Sequence, residues 1–150
     1  MTSSRDSLYL ISCVSRKQFK PMRARDLYCS DWFLKVRAYV EALDARWLIL
    51  SAKYGVVDPD EVIAPYEVTL NSMGTGERRE WAHRVTAQLR SRCHRGDTVV
   101  ILAGESYREH LVPILKEWGC AVEVPMRGLG IGRQLAWLKN HLAHHRGTRS

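Results

Sequence analysis

Residues 46–70 read RWLILSAKYGVVDPDEVIAPYEVTL. The first part, WLILSA at 47–52, is a short apolar run of the kind that forms a buried strand. It passes without a spacer into a segment holding Tyr54 and Tyr66, Pro59 and Pro65, Lys53, and the acids Asp58, Asp60, Glu61 and Glu67. Open α/β sheets bind ligands in the crevice outside the carboxyl ends of their strands. The junction therefore predicts a buried strand and a site directly beyond it.

Three other runs match the first: LYLISC at 8–13, TVVILA at 98–103 and AVEVP at 121–125. Helical patterns lie between them. Ser30 is placed to cap a helix whose Trp32, Phe33, Val36, Tyr39, Val40 and Leu43 fall on one face. A second helix, from about Glu77 to Cys93, has a narrow stripe of Trp81, Val85 and Leu89 with arginines around it. After TVVILAG, the run Ser106 to Glu109 fits a capping box, with Pro113 a possible bend, and a last helix starts near Gly132. Strands alternating with helices imply a mostly parallel, four-stranded sheet covered on both faces, an α/β fold in a single domain spanning 1–150.

No stretch approaches the roughly 18 apolar residues of a membrane span, and MTSSRDS has no signal-peptide core, so a cytoplasmic location is expected. Cys13, Cys29, Cys93 and Cys120 form no CxxC pair and are read as reduced, mostly buried thiols. The net charge of +7 is blocked: residues 77–95 carry six Arg against two Glu, and 126–150 carry five Lys or Arg and no acid. Such blocks fit a polyanionic partner, and equally a solvated basic surface with a basic tail.

Four loops should meet at the carboxyl edge of the sheet: CVSRKQFKP, AKYGVVDPD, GESY and MRGLGIGR. In the first, Ser12, Ser15, Arg16 and Lys17 can bind phosphate, although Walker spacing is absent. Cys13 is either an activated thiol or a packed strand-end residue. GLGIG at 128–132 can receive an anion on its amides with help from Arg133, or it is a turn that lets the last helix pack closely. His141 and His145 are one turn apart but lack an evident third ligand, and no metal is expected. In the opening stretch Tyr54 and Tyr66 can stack on a base, and the four acids are potential general bases; the alternative is an ordered loop whose tyrosines cover the sheet edge.

ISCVSRK, LSAKYGVVDPDEVIAPYEVTL, LAGESYRE and PMRGLGIGRQLAWL, in this order, resemble a small bacterial and phage domain family of unknown function across nearly the whole chain. The YGVVDPDEVIAPYEVTL segment is also similar to the YG…PLD…PYR motif of a bacterial peroxide-stress, DNA-binding family. Both groups resemble the uracil-DNA glycosylase superfamily, which implies a three-layer α/β/α fold and cleavage of an N-glycosidic bond. The glycosylase motif GQDPYH is absent, and the chain reads SCVSRKQ after its first strand.

The resemblance implies a base pocket between Lys53 and Tyr66, with Asp58 as the first candidate carboxylate and Glu67 the second. Ser12, Cys13, Lys17, Gly104 and Tyr107 would join Tyr54 and Tyr66 around the substrate. Arg16, Gly130, Gly132 and Arg133 would hold phosphate, and Leu70 or Met73 would serve as a wedge. The expected partner is DNA or a free nucleotide, with no cofactor; a non-catalytic DNA-binding protein is the competing reading.

Overall fold

The computed structural model describes residues 7–12 and 17–147, with side chains as far as Leu142. Seven strands lie among these residues: β1 (Ser7–Ser12), β2 (Met22–Arg23), β3 (Arg46–Ser51), β4 (Gly55–Val57), β5 (Val62–Ile63), β6 (Thr98–Leu102) and β7 (Ala121–Glu123). The helices are α1 (Ala24–Leu27), α2 (Asp31–Ala42), α3 (Thr75–Leu89), α4 (Glu105–Arg108), α5 (Leu111–Glu117) and α6 (Ile131–Gly147).

All four apolar runs form parallel strands of the main sheet. That sheet has five strands rather than the expected four, because β4 adds to its edge in the order β4-β3-β1-β6-β7. β1 is central, with Leu10 opposite Leu48 of β3 on one side and Ile101 of β6 on the other. Alternation along β1 divides the core. Tyr9 and Ile11 pack with Phe33, Val36 and Leu138 of α2 and α6, whereas Leu8 and Leu10 pack with Val85, Leu89 and Leu115 of α3 and α5. Two helical layers thus enclose the sheet, and its inner strands β1, β3 and β6 are buried on both faces, which is why they read as continuous apolar runs.

The extra strand explains the opening stretch. Gly55 adopts φ +77°, a left-handed conformation that favours glycine, and turns the chain back so that β4 runs antiparallel to β3. A side chain at Gly55 would also collide with Gln88 of α3. Gln88 Oε1 accepts the Val56 N–H at 2.8 Å and its Nε2 donates to the Tyr54 carbonyl at 3.3 Å. Beyond β4, β5 pairs antiparallel with β2. Arg25 binds Asp60 at 2.9 Å and Glu41 at 2.7 Å, fastening this small sheet to α2.

Ser30 caps α2, accepting the Phe33 N–H at 3.2 Å. The capping box expected at Ser106 is not formed. Gly104 precedes α4 instead, and the Ser106 hydroxyl, inside the first turn, donates to Asn71 Oδ1 at 2.6 Å. Pro113 lies in the first turn of α5, where its missing N–H costs no helical hydrogen bond, so it does not bend the helix.

Cys93 and Cys120 are buried free thiols with their sulfurs 3.5 Å apart. Burial, reinforced by the Cys120 thiol, pushes the Cys93 pKa from 9.0 up to about 12, and burial pushes Tyr39 from 10.0 up to about 12. Between pH 9 and 12 the unfolded chain releases these protons while the folded protein retains them. Stability present below pH 9 is therefore lost as pH rises through that window. Thermal melts at stepped alkaline pH should show a falling midpoint, reduced in a Cys93→Ala variant; a flat profile would contradict the assignment.

Candidate functional site

The site begins at the end of β3. Ser51 Oγ accepts the N–H groups of Lys53 and Tyr54 at 3.2 and 3.0 Å, which directs its proton to the Tyr66 hydroxyl at 2.8 Å. Tyr66 and Tyr28 hydroxyls are themselves 2.8 Å apart. Tyr54 packs edge-on against Tyr66 with ring centroids 5.5 Å apart, and Lys17 Nζ stands 4.4 Å from the Tyr66 ring centroid. Trp81 Nε1 donates to the Ser51 carbonyl at 2.9 Å, tying α3 to the same strand end. Tyr66 is thus a buried anchor that holds the 64–69 segment across the carboxyl edge of the sheet.

The connection from β1 leads to β3 on one side, and that from β6 leads to β7 on the other. Between the carboxyl ends of β1 and β6 the strand order reverses, the topological position where α/β sheets bind ligands. A cleft of about 830 Å³ opens there, within the range of small-molecule sites. It unites six of the expected residues: Ser12, Lys17, Tyr66, Glu67, Gly104 and Tyr107. Tyr107 is buried and packs edge-on against Trp81 at 5.5 Å. Glu67 is exposed and brings a carboxylate to the lining.

The cleft also contains residues outside the expected set of site residues. Phe19 lines it while fully exposed, although the backbone beside it is anchored by the Gln18 N–H donating to the Leu27 carbonyl at 2.8 Å. Asn71 and Ser106, bonded to each other, form part of another wall, and Glu105 supplies a second carboxylate. Phe19, Glu105 and Ser106 lie in loops expected at this edge, but no local pattern marks them or Asn71 as lining a cleft. Tertiary pairing of the 69–72 segment with α4 brings Asn71, Glu105 and Ser106 together.

Asp58 lies elsewhere. Because β4 runs antiparallel, it carries Asp58 back towards the amino end of β3, where the carboxylate meets Arg92 at 2.6 Å with both side chains 45% exposed. Asp58 is not in the cleft lining. An Asp58→Asn variant should change stability by no more than about 1 kcal/mol, the usual range for an exposed pair, and should leave ligand affinity of the cleft unchanged. Urea denaturation and a binding titration check both; loss of ligand affinity would return Asp58 to the site.

Gly130, Gly132 and Arg133 are exposed around the start of α6 and line no part of the cleft. Cys13 and Arg16 fall outside the described residues. Leu70 is fully buried and Met73 packs against the α3 and α5 side of the core, so neither projects as a wedge. Several α3 arginines are engaged internally: Arg78 with Glu109 and the Leu70 carbonyl, Arg84 with the Lys53 carbonyl, and, just past the helix, Arg92 with Asp58. Arg79, Arg90 and Arg95 are exposed. His141 stacks on Trp137 with centroids 3.8 Å apart.

Among the described residues no helix is long and apolar enough to cross a membrane. The molecule is an α/β domain with a mostly parallel five-stranded sheet and a cleft at its topological switch point. The chain belongs to the family described as a family of unknown function, DUF6884, whose model matches residues 8–140. It is also similar to "Uncharacterized protein YfjM" of Bacillus subtilis (strain 168), 33% identical over 104 residues. That match spans 65% of this chain and 65% of the Bacillus protein.

Proposed function

We propose that this chain hydrolyses the N-glycosidic bond between a nucleobase and its sugar, in the manner of the uracil-DNA glycosylase superfamily and with the architecture that superfamily implies. The observation that supports this best is the meeting of an exposed carboxylate, Glu67, with the aromatic side chains of Tyr66, Tyr107 and Phe19 in a cleft of about 830 Å³. Aromatic faces hold a base by stacking, and a carboxylate stabilises the positive charge that develops on the sugar as the C–N bond breaks. Water then supplies oxygen to the anomeric carbon, one of its protons goes to the departing base nitrogen, and the sugar retains a hydroxyl. Glu67 takes the role first sought at Asp58, because it lines the cleft and Asp58 does not.

The peroxide-stress, DNA-binding family provides a parallel for the APY segment. Cytoplasmic residence belongs to the same reading, in which a reducing compartment would keep Cys93 and Cys120, with sulfurs 3.5 Å apart, as free thiols. The test is base release. The protein is incubated with DNA containing normal, deaminated and hypermodified bases, and separately with free nucleotides, and liberated base is detected by mass spectrometry. Base freed in proportion to enzyme supports the proposal; intact substrates throughout would end it.

A further inference from the structure

Behind the main cleft lies a second cavity of about 220 Å³, and the two share Gly104 and Glu105. The smaller one is bounded by the end of β6, the turn from Val124 to Leu129, and Gln134 of α6. Its volume is below the roughly 300 Å³ at which sites for whole small molecules begin, so it suits one appendage of a ligand seated next door. Arg108 lines it and identifies the appendage.

The structure's other half-buried arginines with acidic neighbours, Arg25, Arg37 and Arg78, each pair with a carboxylate. Arg108 is also partly buried, and its Nε donates to the Ala103 carbonyl at 3.1 Å, which fixes the guanidinium at the end of β6. Among the described residues it forms no ion pair, although Glu105 stands in the same lining. A positioned guanidinium facing a cavity without a carboxylate partner favours an oxyanion, and its planar fork matches phosphate. One wall is fixed by hydrogen bonds: Gln134 Oε1 accepts from Trp32 Nε1 at 2.8 Å, and Gln134 Nε2 donates to the Leu129 carbonyl at 2.7 Å. A volume of about 220 Å³ leaves no room for a further nucleotide beyond the phosphate.

We propose that the small cavity is a subsite for a terminal phosphate, with Arg108 as its binding group, and that the substrate of the adjoining cleft is a free nucleoside monophosphate rather than a polynucleotide. The inference rests on the N-glycosidase reading for the identity of the remaining ligand. The phosphate subsite itself is tested separately, by binding.

Nucleoside 5′-monophosphates and the matching nucleosides are titrated calorimetrically into the protein. At least one monophosphate should bind 10-fold or more tightly than its nucleoside, and inorganic phosphate should compete with the monophosphate but not with the nucleoside. Arg108→Gln should abolish the preference and raise KM for base release at least 10-fold with little change in kcat. Competition by phosphate uses the unaltered protein, so the outcome stands even if the variant does not fold. Equal affinity for nucleotides and nucleosides overturns the subsite, as does base release confined to DNA and indifferent to Arg108. Phosphate-dependent binding with no base release from any substrate would retain the subsite and refute the N-glycosidase instead.

Discussion

Glu67→Gln should lower kcat for base release by about 10²–10³-fold, the loss expected when one positioned group that stabilises transition-state charge is removed, while leaving thermal stability nearly unchanged. Glu67 is exposed at the cleft, in a segment held by the neighbouring buried Tyr66, so replacing its carboxylate with the isosteric amide removes charge without disturbing the anchor. The affinity for a non-hydrolysed nucleotide should change far less than kcat, because the carboxylate opposes charge that appears only as the bond breaks. Single-turnover base release and equilibrium binding, measured on the same preparation, separate the two. A variant that retained wild-type kcat would remove Glu67 from the chemistry and leave Glu105 as the other carboxylate in the cleft lining.

The second large effect lies in the core. Leu10→Ala should destabilise the fold by about 2–5 kcal/mol, a major share of the roughly 5–15 kcal/mol typical of a whole domain. Leu10 is fully buried on the central strand, between Leu48 and Ile101 on the neighbouring strands, and close-packed surroundings on both sides limit collapse into the cavity left behind. Val62→Ala, at a side chain 65% exposed on β5, should cost less than about 0.5 kcal/mol. Urea unfolding midpoints give the comparison. Equal losses at the two positions would contradict the assignment of β1 as the packed centre of the sheet.

β1, β3 and β6 were legible because each holds a run of four apolar residues that stands out from its surroundings, whereas β7, three residues with Glu123 among them, was legible only through the longer stretch AVEVP. β4 was not, since three residues carry no periodicity and the left-handed turn at Gly55 shows only in the folded chain. Asp58 follows β3 closely in sequence, yet the reversal carries it away from the carboxyl edge. The direction of β4 depends on its pairing with β3 and on Gln88, which is 33 positions beyond Gly55. Ser106 had the sequence form of a cap, yet its hydroxyl is claimed by Asn71, a partner that only the folded chain supplies. Phe19, Glu105 and Arg108 acquire significance from the cavities they line, which no local pattern encodes.

Gln88 also determines what cannot attach to the sheet. On β4 the outward Val56 N–H is occupied by the Gln88 amide, which further binds the Tyr54 carbonyl, as an adjoining strand would. The side chain therefore imitates a sixth strand along the positions where an extended peptide from another chain would pair. At the opposite edge β7 offers only three residues. Short or occupied edges deprive intermolecular β-augmentation of a template, and they protect a strongly apolar parallel sheet from edge-to-edge growth into fibrils.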